Sequence, residues 1–232
     1  MSIIDQGFSY QRRLTIVEGL RSADIVQIIT DLPHLTGMIK AIPDEGSLRP
    51  ETYFYTYATP RDDLISRMQQ TQQIALAEAW IDRAQDLPYK TPQAALIMAS
   101  IIEKEASINA DRRLVAAVLV NRLKRGMRLQ SDPTVLYEAT ASPQSPIPIT
   151  KTHLKTKTPW NTYVIKGLPK TPICNPGEES LMAALNPADS DYLYFVSDGK
   201  GGLRFAKTLD VHNRNVRLFR KFEAAAKKDK AQ

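Results

Sequence analysis

Cysteine is almost missing from this chain of 232 residues. The single Cys174 rules out an intrachain disulfide and any metal site built from several thiolates. Histidine is nearly as scarce, and His34, His153 and His212 stand too far apart for any metal-ligand spacing such as HExxH, so no metal or other cofactor is expected. No apolar run approaches the ~20 residues that span a bilayer, and Met1 is not followed by the apolar stretch of a signal peptide. No internal repeat is visible, and no recognition-helix or RRM-like motif supports nucleic-acid binding. Acidic residues are the minority charge, 25 against 31 basic. The net charge of +6 favours an acidic partner without choosing among nucleic acid, an anionic membrane surface and a cell-wall glycan. Much of that excess sits near the C-terminus, from Arg214 to Lys230, where a solvated helix end and tail is the simpler explanation.

With 43% hydrophobic residues the chain can bury one large core or two modest ones. The first nine residues read as a leader and the last ten, 223–232, as a basic tail. Between them a first subdomain is expected over about 10–60, with a strand around Leu14–Val17, a helix from Ser22–Asp24 through Ile29, and the aromatic run Tyr53–Tyr57. Pro60 then opens a long amphipathic helix to about Gln85, whose inner positions are Leu64, Ile65, Met68, Ala75, Leu76 and Ala79. Thr91 is a good N-cap, with Pro92 at the first helical position.

The helix that follows carries the strongest chemical signal. At roughly 100° per residue, Ala94, Ile97, Met98, Ile101, Ile102 and Ile108 share one face, Glu105 projects from the middle of it, and Glu103 points almost the opposite way. A carboxyl directed at an apolar face loses hydration of its charged form, so its pKa rises and it can hold the proton a general acid needs. A glutamate at a core edge that merely pairs with an arginine fits the same periodicity.

A second helix beginning at Asn109 puts Leu114, Val115, Val118, Leu119 and Leu123 on one arc and stops at Gly126. Arg122 lies within that arc, either packing its stem or serving a site. Segment 128–134 reads as a strand end followed by a helix start, capped by Ser131 or Asp132. Residues 139–157 form an exposed excursion rich in Ser, Pro and Thr. Asn175-Pro176-Gly177 caps a helix through Leu185, and Tyr192–Val196 turns through Asp198-Gly199 and Gly201-Gly202 into Leu203–Phe205. The expected class is α+β: a helical core, a small antiparallel sheet of late strands and an N-terminal α/β subdomain.

Several long segments in fixed order resemble the MltG/YceG-like family of endolytic murein transglycosylases. They are LTIVEGL at 14–20, EGSLRPETY at 45–53, ASIIEKEA at 99–106, VNRLKRGMRLQSDPTVLY at 120–137, WNTYVIKGLP at 160–169, NPGEESLMAALNPA at 175–188 and YLYFVSDGKGGLRFAKTLDVHN at 192–213. The similarity runs from about Arg12 to Asn213. It implies a catalytic domain over residues 10–222 that cleaves the β-1,4 bond between N-acetylmuramic acid and N-acetylglucosamine within peptidoglycan strands and leaves 1,6-anhydromuramoyl ends. The catalytic acid of the family corresponds to Glu105, the residue the helical periodicity also singles out. The resemblance further implies that Asn121, Arg122, Gln130, Asp132, Thr134 and Tyr137 line or support the groove, with Asn161, Tyr163, Tyr194, Asp198, His212 and Asn213 behind them. Tyr163 and Tyr194 would stack on sugars or fill a small sheet, and His212 would be a structural residue or a proton carrier.

Partners implied by the family are glycan strands and peptidoglycan synthases. The location it implies is the extracytoplasmic face of the inner membrane, reached only through an anchor absent from this chain. Three alternatives remain: a muramidase that uses water with Asp132 as second carboxylate, a noncatalytic glycan-binding module, and, last, a basic nucleic-acid binder.

Overall fold

A computed structural model describes residues 10–106, 108–140 and 147–229, with side chains to residue 226. The expected leader and residues 141–146 of the expected excursion lie outside the described residues. Strand β1 (Arg12–Thr15) pairs antiparallel with β3 (Thr52–Tyr55), Leu14 opposite Tyr53. Helix α1 (Ser22–Asp31) buries Ile25 and Ile29 against this pair, while β2 (Leu35–Thr36) and β4 (Thr59–Pro60) make a short parallel contact. These elements share one apolar cluster with Leu64, Ile65 and Met68 from the first half of α2 (Arg61–Ile81). The expected inner positions Ala75, Leu76 and Ala79 are half-buried, and α2 ends four residues before the anticipated Gln85.

A second cluster is built around α3 (Pro92–Glu105), which starts as its sequence requires: the Thr91 hydroxyl accepts from the Ala94 N–H at 3.2 Å and Pro92 needs no partner. Ala95 to Ile102 are all buried, so this helix is enclosed on every side and not on the one face that periodicity suggests. It is packed by α2, by α4 (Arg112–Lys124), by α5 (Asp132–Ala139) and most extensively by α7 (Glu178–Leu185). Each fully buried Leu, Ile or Met there is worth roughly 1.5–3 kcal/mol. Helix α4 follows a short 3-10 turn at Asn109–Asp111 and closes at Gly126 (φ 66°), where Gly126 and Met127 donate back to Leu123 and Arg122 in a Schellman cap.

Four local readings are corrected. Helix α3 stops at Glu105, so Ile108 is not on its inner face and is 42% exposed; Ala106 turns extended and buries itself in the core. No strand precedes α5; residues 127–131 are a loop. The excursion contains a short helix, α6 (Lys151–Lys155), closed by a reciprocal cap between Thr150 and His153. Of the expected Asn175-Pro176-Gly177 cap, Gly177 takes the N-cap position of α7 and Asn175 does not. Its side chain instead accepts from Leu48 N and donates to Leu20 O, Ser22 Oγ and Glu45 Oε1, which stitches the two clusters together.

The late strands β5 (Tyr194–Ser197) and β6 (Leu203–Ala206) form the expected antiparallel hairpin, with α8 (Leu209–Asp229) packed on it. Helix α8 runs unbroken through much of the segment expected to be a tail. The mixed architecture is α+β, as its pattern implied. No helix among the described residues is long and apolar enough to cross a membrane.

Candidate active site

Glu105 is the last residue of α3, and its carboxyl opens into a cleft of about 290 Å³ formed with α4, the loop before α5, Tyr163, β5 and α8. Three features of that position oppose its ionisation. Burial pushes the carboxyl up to about 7, and the negative charge of neighbouring Asp132 adds to the rise. The C-terminal end of the helix macrodipole acts in the same direction, typically by about 0.3–1 kcal/mol. A hydrogen bond from Ser131 Oγ to Oε1, 2.6 Å, and the positive charge of Arg122 pull the other way without cancelling it. The result is a carboxyl balanced between its acid and base forms at neutral pH.

Ser131 is held for this contact from behind. Its N–H donates to Thr162 Oγ1 at 2.9 Å, and Thr162 Oγ1 meets Thr134 Oγ1 at 2.8 Å, both threonines being completely buried. The preceding residue, Gln130, takes a left-handed backbone (φ 53°) that a side-chain-bearing residue adopts only under local strain. That turn presents the Ser131 hydroxyl to Glu105 in place of the α5 N-terminus, so Ser131 flanks the helix without capping it. Sequence reasoning gave Ser131 only a capping role. Its signal was its place beside Asp132 in the segment expected to line the groove.

Opposite Glu105, Arg122 Nε donates to Leu193 O and Nη1 to Leu129 O, each at 2.7 Å. Its guanidinium carbon lies 5.2 Å from the centre of the Tyr194 ring, which stacks on His212 at 5.1 Å. Burial and the Arg122 charge both lower the His212 pKa, and its buried Nδ1 has no hydrogen-bond partner among the described residues. On the remaining wall Tyr163 donates to Asp132 Oδ1 at 2.5 Å. Burial and the adjoining carboxylate push that phenol up.

The structure therefore brings Glu105, Arg122, Gln130, Asp132, Tyr163 and His212 to one cleft, with Tyr194 stacked behind. Other expected groove residues stand elsewhere. Asn121 donates to Ser190 O and Tyr192 O and ties α4 to the strand hairpin. Thr134 supports Ser131, and Asn161 holds α6 through His153 O and Thr156 O. Tyr137 faces Glu45 and Arg21 on the far side of α5. Asp198 accepts from Lys200 N and Gly202 N inside the hairpin turn, and Asn213 is exposed on α8.

Glu103 is occupied structurally. Arg112 bonds its Oε1 at 3.2 Å and Gly177 N bonds Oε2 at 3.0 Å, so the first glutamate of the EKE segment anchors α4 and α7 while the second faces the cleft. Cys174 is buried, which raises its thiol pKa well above the ordinary range.

The YceG-like family matches residues 1–218. The chain is 39% identical over 176 residues to the endolytic murein transglycosylase of Bacillus subtilis (strain 168), covering 74% of this chain and 47% of that protein. It is 32% identical over 182 residues to the protein of the same description from Streptococcus pneumoniae (strain ATCC BAA-255 / R6), covering 74% of this chain and 31% of that one. The chain thus spans less than half the length of these curated relatives. A crystal structure of a yceG-like protein from Listeria monocytogenes superposes with a TM-score of 0.69 at 32% identity, over 90% of this chain and 77% of that one. Extent of match, shared architecture and the order of the motifs around Glu105 agree: the chain belongs to the YceG-like family.

Proposed function

We propose that residues 10–222, with subdomains over about 10–60 and 61–222, act as the catalytic domain of an endolytic peptidoglycan lytic transglycosylase, with Glu105 as its acid and base. The observation that carries this reading is the Glu105 carboxyl held near neutrality in a cleft that contains a second carboxylate, an arginine and a tyrosine. Neutral Glu105 gives its proton to the bridging oxygen between N-acetylmuramic acid and N-acetylglucosamine as the bond from muramoyl C1 to that oxygen breaks. The muramoyl 6-hydroxyl then attacks C1 and passes its proton to the Glu105 carboxylate. A 1,6-anhydro ring forms, no water is consumed, and the acid is restored.

Asp132, fixed by Tyr163, supplies negative charge where C1 becomes electron-poor, and Arg122 with Gln130 offers donors to sugar oxygens. The pKa near 7 suits a group that must donate and then accept within one cycle. This reading implies work in the bacterial cell envelope, at the extracytoplasmic face of the inner membrane and beside peptidoglycan synthases. Mass spectrometry of digested glycan strands tests it. Wild type should leave anhydromuramoyl ends and Glu105→Gln should leave the strands uncut. Reducing muramoyl ends, with activity lost equally in Asp132→Asn, would instead identify a hydrolase.

A further inference from the structure

Helix α2 carries a pattern that the catalytic reading leaves unused. Its inner face begins with the buried Leu64, Ile65 and Met68 and continues, at spacings of four, as the buried Gln72 and half-buried Leu76, with the exposed Gln69 and Gln73 beside them. Gln72 is 3% exposed, yet neither its amide nitrogen nor its carbonyl oxygen has a hydrogen-bond partner among the described residues. The buried Ser47 hydroxyl is in the same condition. Both residues line a pocket of about 340 Å³ between α2, the first turn of α3 at Gln93 and the Asp44–Ser47 turn. That volume falls in the range of roughly 300–1,000 Å³ usual for small-molecule sites. The pocket shares no lining residue with the Glu105 cleft, and Gln93 precedes Glu105 by about 18 Å along α3.

A carboxamide enclosed without a partner is costly, and a core-facing position between Met68 and Leu76 suits an apolar residue better. An amide there makes sense when a ligand presents an acceptor and a donor side by side, the arrangement of a secondary amide's C=O and N–H. Leu76 and Leu96 supply apolar surface for a methyl group on that amide. The exposed Asp44 carboxylate accepts from hydroxyls and repels anions, while Gln69, Gln73, Gln93 and Ser47 match further hydroxyls. We propose that this pocket binds a neutral N-acetylhexosamine through its acetamido group, at a site separate from the cleft and independent of its chemistry.

The test is a titration of the chain with N-acetylglucosamine, followed through the side-chain amide signals of Gln72 by NMR, with glucose and N-acetyl-alanine methylamide as comparison ligands. The proposal expects a saturable millimolar response of Gln72. Affinity should fall at least tenfold for glucose, for the dipeptide analogue, and for N-acetylglucosamine on Gln72→Leu. Should Gln72→Leu fail to fold, Ser47→Ala and Gln93→Ala on the pocket wall must show the loss together. Shifts confined to Tyr163 and its neighbours would overturn the proposal, as would a response to glucose as strong as to N-acetylglucosamine. Preference for N-acetyl-alanine methylamide would make this a peptide site, and unchanged binding by Gln72→Leu would leave the carboxamide serving bound water alone.

Discussion

Replacing Glu105 by glutamine should abolish cleavage and at the same time stabilise the fold at alkaline pH. The glutamine keeps the shape of the side chain and an oxygen that can accept from Ser131, but it never ionises. In the native chain the carboxyl titrates near 7, and in the unfolded chain near 4.5. Below about pH 4 it is protonated in both states and contributes no difference. As pH rises the unfolded chain releases its proton first, so the folded state is progressively disfavoured, and the penalty levels off above 7. At about 1.36 kcal/mol for each tenfold step, the native glutamate costs the fold about 3 kcal/mol at pH 8 and a few tenths at pH 4.

Urea denaturation of wild type and Glu105→Gln at pH 4 and pH 8 isolates this quantity, because other titrating groups cancel in the difference. The variant should gain about 3 kcal/mol at pH 8, or roughly 6–12 °C in melting temperature for a chain of this size. At pH 4 it should match wild type. Equal stabilities at both pH values would mean that Glu105 titrates as a solvated carboxyl and would remove the basis for its role as an acid.

Other outcomes follow from the same geometry. Ser131→Ala removes the hydrogen bond that favours the ionised carboxyl, so the alkaline limb of kcat/KM should move up by about one pH unit while kcat falls; a pH–rate profile reads both. Arg122→Met withdraws a positive charge from Glu105 and leaves Leu193 O and Leu129 O unbonded. It should shift the same limb upward and destabilise the chain by about 2–4 kcal/mol in urea. Gly46→Ala places a Cβ 2.7 Å from the Pro172 ring at a φ of 82°, and calorimetry should show a loss of about 2–4 kcal/mol.

Helix starts and turns were legible because their chemistry is local. Thr91 with Pro92, Gly126 after Leu123, and the Asp198–Gly202 turn each satisfy backbone groups within a few residues, so short-range sequence carries the whole signal. The stop of α3 was not legible. Nothing between Glu105 and Ile108 breaks a helix by propensity; Ala106 leaves it because its place is in the core. Asn121 and Asn161 stood among the groove residues that the family resemblance implied. An asparagine that bonds main-chain carbonyls and one that bonds a ligand look alike in a sequence motif, and only their contacts separate them.

By itself the sequence determined that Glu103 and Glu105 leave α3 in nearly opposite directions, since rotation along a helix is settled by residue spacing, whereas packing on every side of that helix decided which of them meets a cleft. It determined the α+β class and the family, since these rest on the order of segments. Only the tertiary structure decided what surrounds that carboxyl: Ser131 presented by the strained Gln130 turn, Arg122 braced between two carbonyls, and Asp132 held by Tyr163. These groups come from segments far apart in the chain and act over a few ångströms. Desolvation and Coulomb interaction depend on distance in space, which residue spacing does not encode.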